Sequence, residues 1–279
     1  MARIPFGVSR LDALVGNGAP PGSVVLLAGE AGAGARELQH TCAVMNGVAE
    51  VDPDLFDLYY GDLHGEAEHP DEIHYVSFTD DEDALRREIG YTMDEELVAA
   101  GLETVQFADL SPEYFQLSPV PREWYLGRSS DIEQLSADTE RRGVIDALAA
   151  YLDEHAAESL VVIDSLTDLV DVHTQGELDW HDVVYLVQGI RKAAETWDAL
   201  VLVHVSHETL SDTEFAKLMS GVDGTMLFEW ESGGNEISRT MVVREFRGVL
   251  SQLEAEDIVR FETEIRESGF DISDVRKIR

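Results

Sequence analysis

Short, uninterrupted apolar runs alternate along this chain with longer stretches in which apolar residues recur every three or four positions. Val24–Ala28, Ile73–Phe78 (IHYVSF), Ser159–Asp164 (SLVVID) and Ala199–Val205 (ALVLVHV) are of the first kind, the pattern of strands buried on both faces. Thr104–Leu110 (TVQFADL) is a weaker strand of the same type. Helical spacing predicts a helix from Ala35, with Leu38, Cys42 and Met45 on one face, and another over Glu82–Asp94, with Leu85, Ile89 and Met93 aligned. Further helices are predicted over Val144–Glu158 and Asp182–Trp197, and Arg10, Leu11 and Leu14 suggest a short amphipathic turn before the first strand. Strands alternating with amphipathic helices argue for an α/β fold with a mainly parallel central sheet, covered by helices on both faces.

After Gly224 the pattern changes. Thr225–Trp230 and Arg239–Phe246 flank Gly233-Gly234-Asn235, a hairpin signal, and Ile258–Ile265 alternates with period two. The last fifth therefore adds antiparallel strands, with Ile258–Ile265 as an edge strand and Phe270–Arg279 as a closing tail. Two stretches escape the alternation. Glu50–Asp71 is rich in acids and reads as a solvated surface excursion. Ser111–Ser130 carries Tyr114, Phe115, Trp124 and Tyr125 among three prolines, and is too apolar to float freely. It is expected to pack down as a lid or to serve as a contact with another copy or a protein partner. No repeat or linker divides the chain, so residues 1–279 are read as one domain.

Charge narrows the setting. The 20 basic and 56 acidic residues give a net charge of −36, and Lys192, Lys217 and Lys277 are the only lysines. The acids are spread along the chain rather than gathered in a tail, which suits a cytoplasm of concentrated salt, where self-repulsion is screened. The same charge speaks against binding to nucleic acid, which needs clustered Lys and Arg. A lone cysteine, Cys42, excludes an intramolecular disulfide framework. No stretch has the length of a membrane-spanning helix and the first residues lack a signal-peptide core, so a cytoplasmic protein without membrane insertion is expected.

The chemistry concentrates in PGSVVLLAGEAGAGARELQHTCAVMNG. An apolar strand, a loop carrying Gly29, Gly32 and Gly34, and a helix opening at Ala35 make the architecture of a phosphate-binding loop, with backbone N–H groups and a helix N-terminus facing an anion. Gly29 and Gly34 fall on the two glycines of G-x-x-x-x-G-K-[ST]. The lysine position, however, holds Ala35, and the hydroxyl position holds Arg36. Arg36 is either a substitute phosphate partner, a solvated arginine, or one paired with a nearby acid such as Glu37. His204 and His207 lie three apart on a strand and so face opposite ways, which reads against a metal site.

Taken together, these stretches resemble the RecA-like P-loop superfamily, specifically its KaiC-like branch and a haloarchaeal transducer-like group within it. The likeness runs from PFGVSRLDALVGNGAPPGSVVLLAGEAGAGA through HYVSFTDDEDAL and SLVVIDSLTDL to VVREFRG. It implies ATP and magnesium as ligands, with Gly29, Gly32, Gly34, Ala35, Arg36 and Asp164 at the nucleotide. Asp164 matches the Walker B aspartate that holds magnesium through water. The family's tandem glutamates, which polarise the attacking water, fall on Thr79 and Asp80, with Asp81 next, so Asp80 and Asp81 are the catalytic candidates. Both also have the residue type of a helix N-cap. The resemblance places His207 near the nucleotide's terminal phosphate, and it matches Arg247 and Gly248 to the end of a K-x-R-G segment.

Loss of the lysine and of the hydroxyl removes a cation and a metal ligand, each costing about 2.7 kcal/mol or more of transition-state stabilisation by analogy with a lost oxyanion donor. The expected function is a regulatory or signalling scaffold with weak or no ATP hydrolysis and weak ATP and magnesium binding. The alternatives are an ATPase with an altered loop, or a recombination accessory paralogue. The charge itself makes a prediction. Lowering ionic strength lengthens the Debye distance from about 3 Å at 1 M to about 10 Å at 0.1 M. Thermal melts should therefore rise steeply with KCl across that range, and a flat response would contradict the high-salt reading.

Overall fold

Six strands run parallel in one sheet, and three antiparallel strands extend it. The computed structural model describes residues 2–63, 65–116, 118–125, 143–171, 180–233, 236–249 and 258–277. Its strands are β1 (Ser23–Gly29), β2 (Glu72–Ser77), β3 (Val105–Asp109), β4 (Ser159–Asp164), β5 (Leu200–Ser206), β6 (Gly224–Gly233), β7 (Glu236–Phe246), β8 (Ile258–Arg266) and β9 (Gly269–Lys277). They lie in the order β3-β2-β4-β5-β1-β6-β7-β8-β9. β3 to β6 in that order pair parallel, and β6 to β9 pair antiparallel. This is the mixed α/β sheet that the alternation predicted.

Because side chains alternate across a strand, the sheet sorts its residues into two cores. Val25, Leu27, Tyr75, Leu160, Val162, Leu200 and Leu202 face α2 (Ala35–Val51) and the helices beside it. Val24, Leu26, Val76, Val161, Ile163, Val201 and Val203 face α8 (Val144–His155) and α10 (Trp180–Trp197). Strands with both faces covered have no polar face, which is why they read as continuous apolar runs.

Helix α2 is more enclosed than an amphipathic helix of the surface kind. It is buried continuously from Leu38 to Val48, packed between the sheet, α5 (Glu95–Gly101) and β9. Its crossing with α5 needs glycine on both sides: a Cβ on Gly47 would lie 2.0 Å from the Gly101 carbonyl oxygen, and one on Gly101 would lie 2.4 Å from that of Val44.

Several elements differ from the sequence reading. The acidic stretch after α2 faces solvent along most of its length, as expected, but it is anchored: Pro53–Tyr59 forms α3, and Leu55, Phe56 and Tyr60 are buried. Pro53 at the first helical turn and the Asp52 side chain accepting the Leu55 N–H start that helix. The helix expected over Glu82–Asp94 ends at Gly90 as α4, and α5 follows as a separate helix capped by Asp94. Ile258–Ile265 is not an edge, because the closing tail forms β9 and pairs outside it. A helix at Asp212–Met219 (α11), with a capping box between Ser211 and Glu214, carried too weak an apolar stripe to be read. The lead-in turn is α1 (Ser9–Val15). In Ser111–Ser130, short helices form at Ser111–Phe115 and Arg122–Tyr125; the part beyond 125 lies outside the described residues, as do Gly234 and Asn235 of the hairpin. Tyr114 packs against the second core, whereas Trp124 is 78% exposed.

Asp12 of α1 is fully buried, accepting the Phe6 N–H at 2.8 Å and the Tyr60 hydroxyl at 3.1 Å. Burial outweighs these hydrogen bonds and pushes its carboxyl up to about 7. Between about pH 4 and 7 the folded chain thus holds a proton that the unfolded chain has released, and stability from this group falls as pH rises. In urea melts across that range, Asp12→Asn should gain on wild type as pH increases. A constant difference between the two would show that Asp12 does not titrate there.

Candidate functional site

The site lies at the carboxyl ends of the parallel strands, where Ser77 of β2 and Asp164 of β4 end as neighbours and β5 separates them from Gly29 of β1. Strand order reverses about β1, and in open α/β sheets such a crevice is where ligands bind. From Gly29 the chain turns through Glu30–Gly34 into α2. Gly34 has φ 118°, a conformation that favours glycine, and a Cβ there would lie 3.1 Å from the Phe270 ring.

The loop is gripped by its own surroundings. The Ala31 N–H donates to a Glu208 carboxylate oxygen at 3.2 Å, and the Trp230 indole donates to the Ala31 carbonyl at 3.1 Å. Arg239 donates to the Gly32 carbonyl at 2.9 Å while its guanidinium stacks 4.6 Å above the Trp230 ring. The β6–β7 hairpin thereby lies against one side of the loop, and Phe270 of β9 lies against the other. Ala35 is buried and has no polar side chain to offer.

Arg36 points into the site and away from Glu37. Its Nε lies 3.0 Å from Asp164 Oδ2, one Nη hydrogen-bonds Oδ1 at 3.2 Å, and the other reaches Glu88 of α4 at 3.1 Å. The Asp164 side chain is 1% exposed and also accepts the Tyr75 hydroxyl at 2.8 Å on Oδ2. His204 Nδ1 lies 3.3 Å from Oδ1. Burial would raise the Asp164 pKa, but the His204 hydrogen bond and the Arg36 charge overcome it and hold the carboxyl well below its ordinary range. Tyr75 is driven well above the usual phenol value by burial and by Asp164, so it remains a donor. His40, on α2 and facing Tyr75 at 6.0 Å between ring centroids, is fully buried without a hydrogen bond to either nitrogen. Desolvation lowers its pKa to about 4 and keeps it neutral.

The chain has the fold of a KaiC-like protein. Its structure matches the crystal structure of a KaiC-like protein from the hyperthermophilic archaeon Pyrococcus horikoshii OT3 with a TM-score of 0.60, at 13% sequence identity, over 98% of this chain and 99% of that one. No protein-family model matches the sequence, and no curated protein matches it. At this identity the likeness speaks for the fold, and the site rests on its own geometry.

Within the KaiC-like fold the sequence candidates separate. Gly29, Gly32, Gly34, Ala35, Arg36 and Asp164 come together at the loop and the β4 end. Asp81 caps α4, its carboxylate accepting the Ala84 N–H at 2.8 Å, while the Asp80 N–H donates to the Ser77 hydroxyl at 3.1 Å. Arg247 lies on the β7 side and pairs with Asp223 at 3.2 Å. The His207 ring packs 5.8 Å from Phe215, and it is His204 that meets Asp164. Sequence reasoning missed Tyr75, Glu88 and His40 as site residues, and weighed His204 only as a metal ligand. The signal for three of them was polarity inside an apolar element: His40 on a helix flanked by Leu38 and Cys42, Tyr75 in IHYVSF, and His204 in ALVLVHV.

Removing the guanidinium would leave Asp164 buried without its cation. Arg36→Ala should cost about 3–5 kcal/mol of stability, read in urea melts at 2 M KCl. Adding Asp164→Asn should restore part of the loss, and additive costs would show that the two residues are not coupled.

Proposed function

We propose that this chain is a KaiC-like regulatory or signalling scaffold of the cytoplasm, one domain over residues 1–279, with ATP hydrolysis weak or lost. The observation that carries the reading is the Arg36 guanidinium seated on the carboxylate of Asp164. Phosphoryl transfer in P-loop proteins draws on a loop lysine, a hydroxyl on the metal, and a free acidic strand end. Here Ala35 and Arg36 stand at the first two positions, and the third is already engaged by three groups, Arg36, Tyr75 and His204. The RecA/KaiC-like fold generally binds ATP and magnesium. The residues present do not fit magnesium: its carboxylate is taken, its hydroxyl ligand is an arginine, and no group of three or more His, Cys, Asp or Glu among the described residues is arranged to hold a metal. Gly29, Gly32, Gly34, Ala35 and Arg36 retain the cradle of an anion site, narrowed by Phe270 and by the Glu208 carboxylate on the Ala31 N–H. Nucleotide binding there is accordingly weak.

A scaffold needs a surface. Trp124 stands exposed on the aromatic segment whose neighbour Tyr114 anchors it to the core, which favours a second copy or a protein partner over nucleic acid. No helix among the described residues is long and apolar enough to cross a membrane. The deciding experiment measures ATP turnover by the purified chain in multimolar KCl. Turnover at background is expected. Robust turnover that Asp164→Asn abolishes would replace the scaffold with an ATPase.

A further inference from the structure

We propose that Arg36 is a resident cation that takes the place of a divalent metal at Asp164, closing this carboxylate to metal ions and holding the site together without a ligand. The inference deepens the scaffold reading at the same residues.

An ionised carboxylate offers about four lone-pair sites. On Asp164 three hydrogen bonds fall on the two oxygens, Oδ2 taking the Tyr75 hydroxyl at 2.8 Å and Oδ1 an Arg36 Nη at 3.2 Å and His204 Nδ1 at 3.3 Å, while Arg36 Nε lies 3.0 Å from Oδ2 as a close charge contact without hydrogen-bond geometry. A metal ion would have to displace a guanidinium held by one charge-assisted hydrogen bond and a second close approach to the other oxygen. Displacement would also strip the guanidinium of its buried counter-ion and leave it with Glu88, whose side chain is 38% exposed.

Position and charge agree. In the P-loop pattern, the residue at 36 is the one whose hydroxyl would ligate the metal. Replacing that oxygen with a guanidinium removes a ligand and supplies a positive charge from the same backbone position. Magnesium demands octahedral oxygen ligands at about 2.0–2.1 Å. A planar cation has no such demand and sits between the two carboxylates it touches. The fork also ties five elements to one point: α2 through Arg36, α4 through Glu88, β2 through Tyr75, β4 through Asp164 and β5 through His204.

Mn2+ tests this, used as a paramagnetic probe on the full chain in 2 M KCl, where loose surface binding is screened. The readout is broadening of the His204 ring resonance. Wild type should show no selective broadening. Arg36→Ser should bind Mn2+ at least tenfold more tightly, broaden His204, and lose both effects when Asp164→Asn is added. Selective broadening in wild type that Asp164→Asn removes overturns the proposal, as does a folded Arg36→Ser that gains no Mn2+ site. Should Arg36→Ser fail to fold, Arg36→Gln, which keeps most of the stem and removes the charge, is read by the same two outcomes. Metal occupancy reports on this inference and ATP turnover on the scaffold reading, so the two fail separately.

Discussion

A carboxylate buried at the end of β4 is the constraint around which this molecule is arranged. Asp164 is 2% exposed, and an ionised group so placed is tolerated only with a compensating cation and full hydrogen bonding. Arg36 provides the charge, and Tyr75 and His204 complete the hydrogen bonding. Each comes from a different element, so the sheet register and the seating of α2 must be right before the charge is neutralised. Ser77 opposite Asp164 on β2 and Ile163 opposite Val203 on β5 set Tyr75 and His204 on the same face as the carboxylate.

The enclosure of the glycine loop follows from the C-terminal strands. β6 pairs with β1, so the hairpin it begins rises directly beside the loop, bringing Trp230 and Arg239 onto Ala31 and Gly32. β9 returns to α2, where the Phe270 N–H donates to the Thr41 hydroxyl at 2.8 Å and its ring lies against Gly34. The loop keeps its shape through contacts within the chain: carbonyls take side-chain donors, and the Ala31 N–H takes a carboxylate. A phosphate would compete with these contacts.

Much of this was legible from residue order. The buried strands announced themselves because both their faces are covered, and the turn into α2 because φ near 118° at Gly34 leaves few residues other than glycine. What stayed hidden depended on distance along the chain. Glu37 is the nearest acid to Arg36 in sequence, yet a helix presents neighbours in different directions, and the guanidinium instead meets residues 52 and 128 positions away. β9 and the α3 segment were hidden for a related reason: their apolar residues, Phe270 and Phe56 among them, are few and set among acids, so composition masked their burial. In a chain with 56 acids, polarity is a poor guide to exposure.

The acid excess also explains why the internal cation is an arginine. Solvent-facing carboxylates need only salt to screen them, but Asp164 is beyond the reach of screening ions and must carry its cation within the fold. Lysine would meet one oxygen as a compact point charge, whereas the guanidinium spans both oxygens and still reaches Glu88. A charge fixed in this way does not depend on metal supply, nucleotide or salt. On the scaffold proposal, the pair holds the strand end in place with no ligand bound, whereas an ATPase must alternate between occupied and empty states.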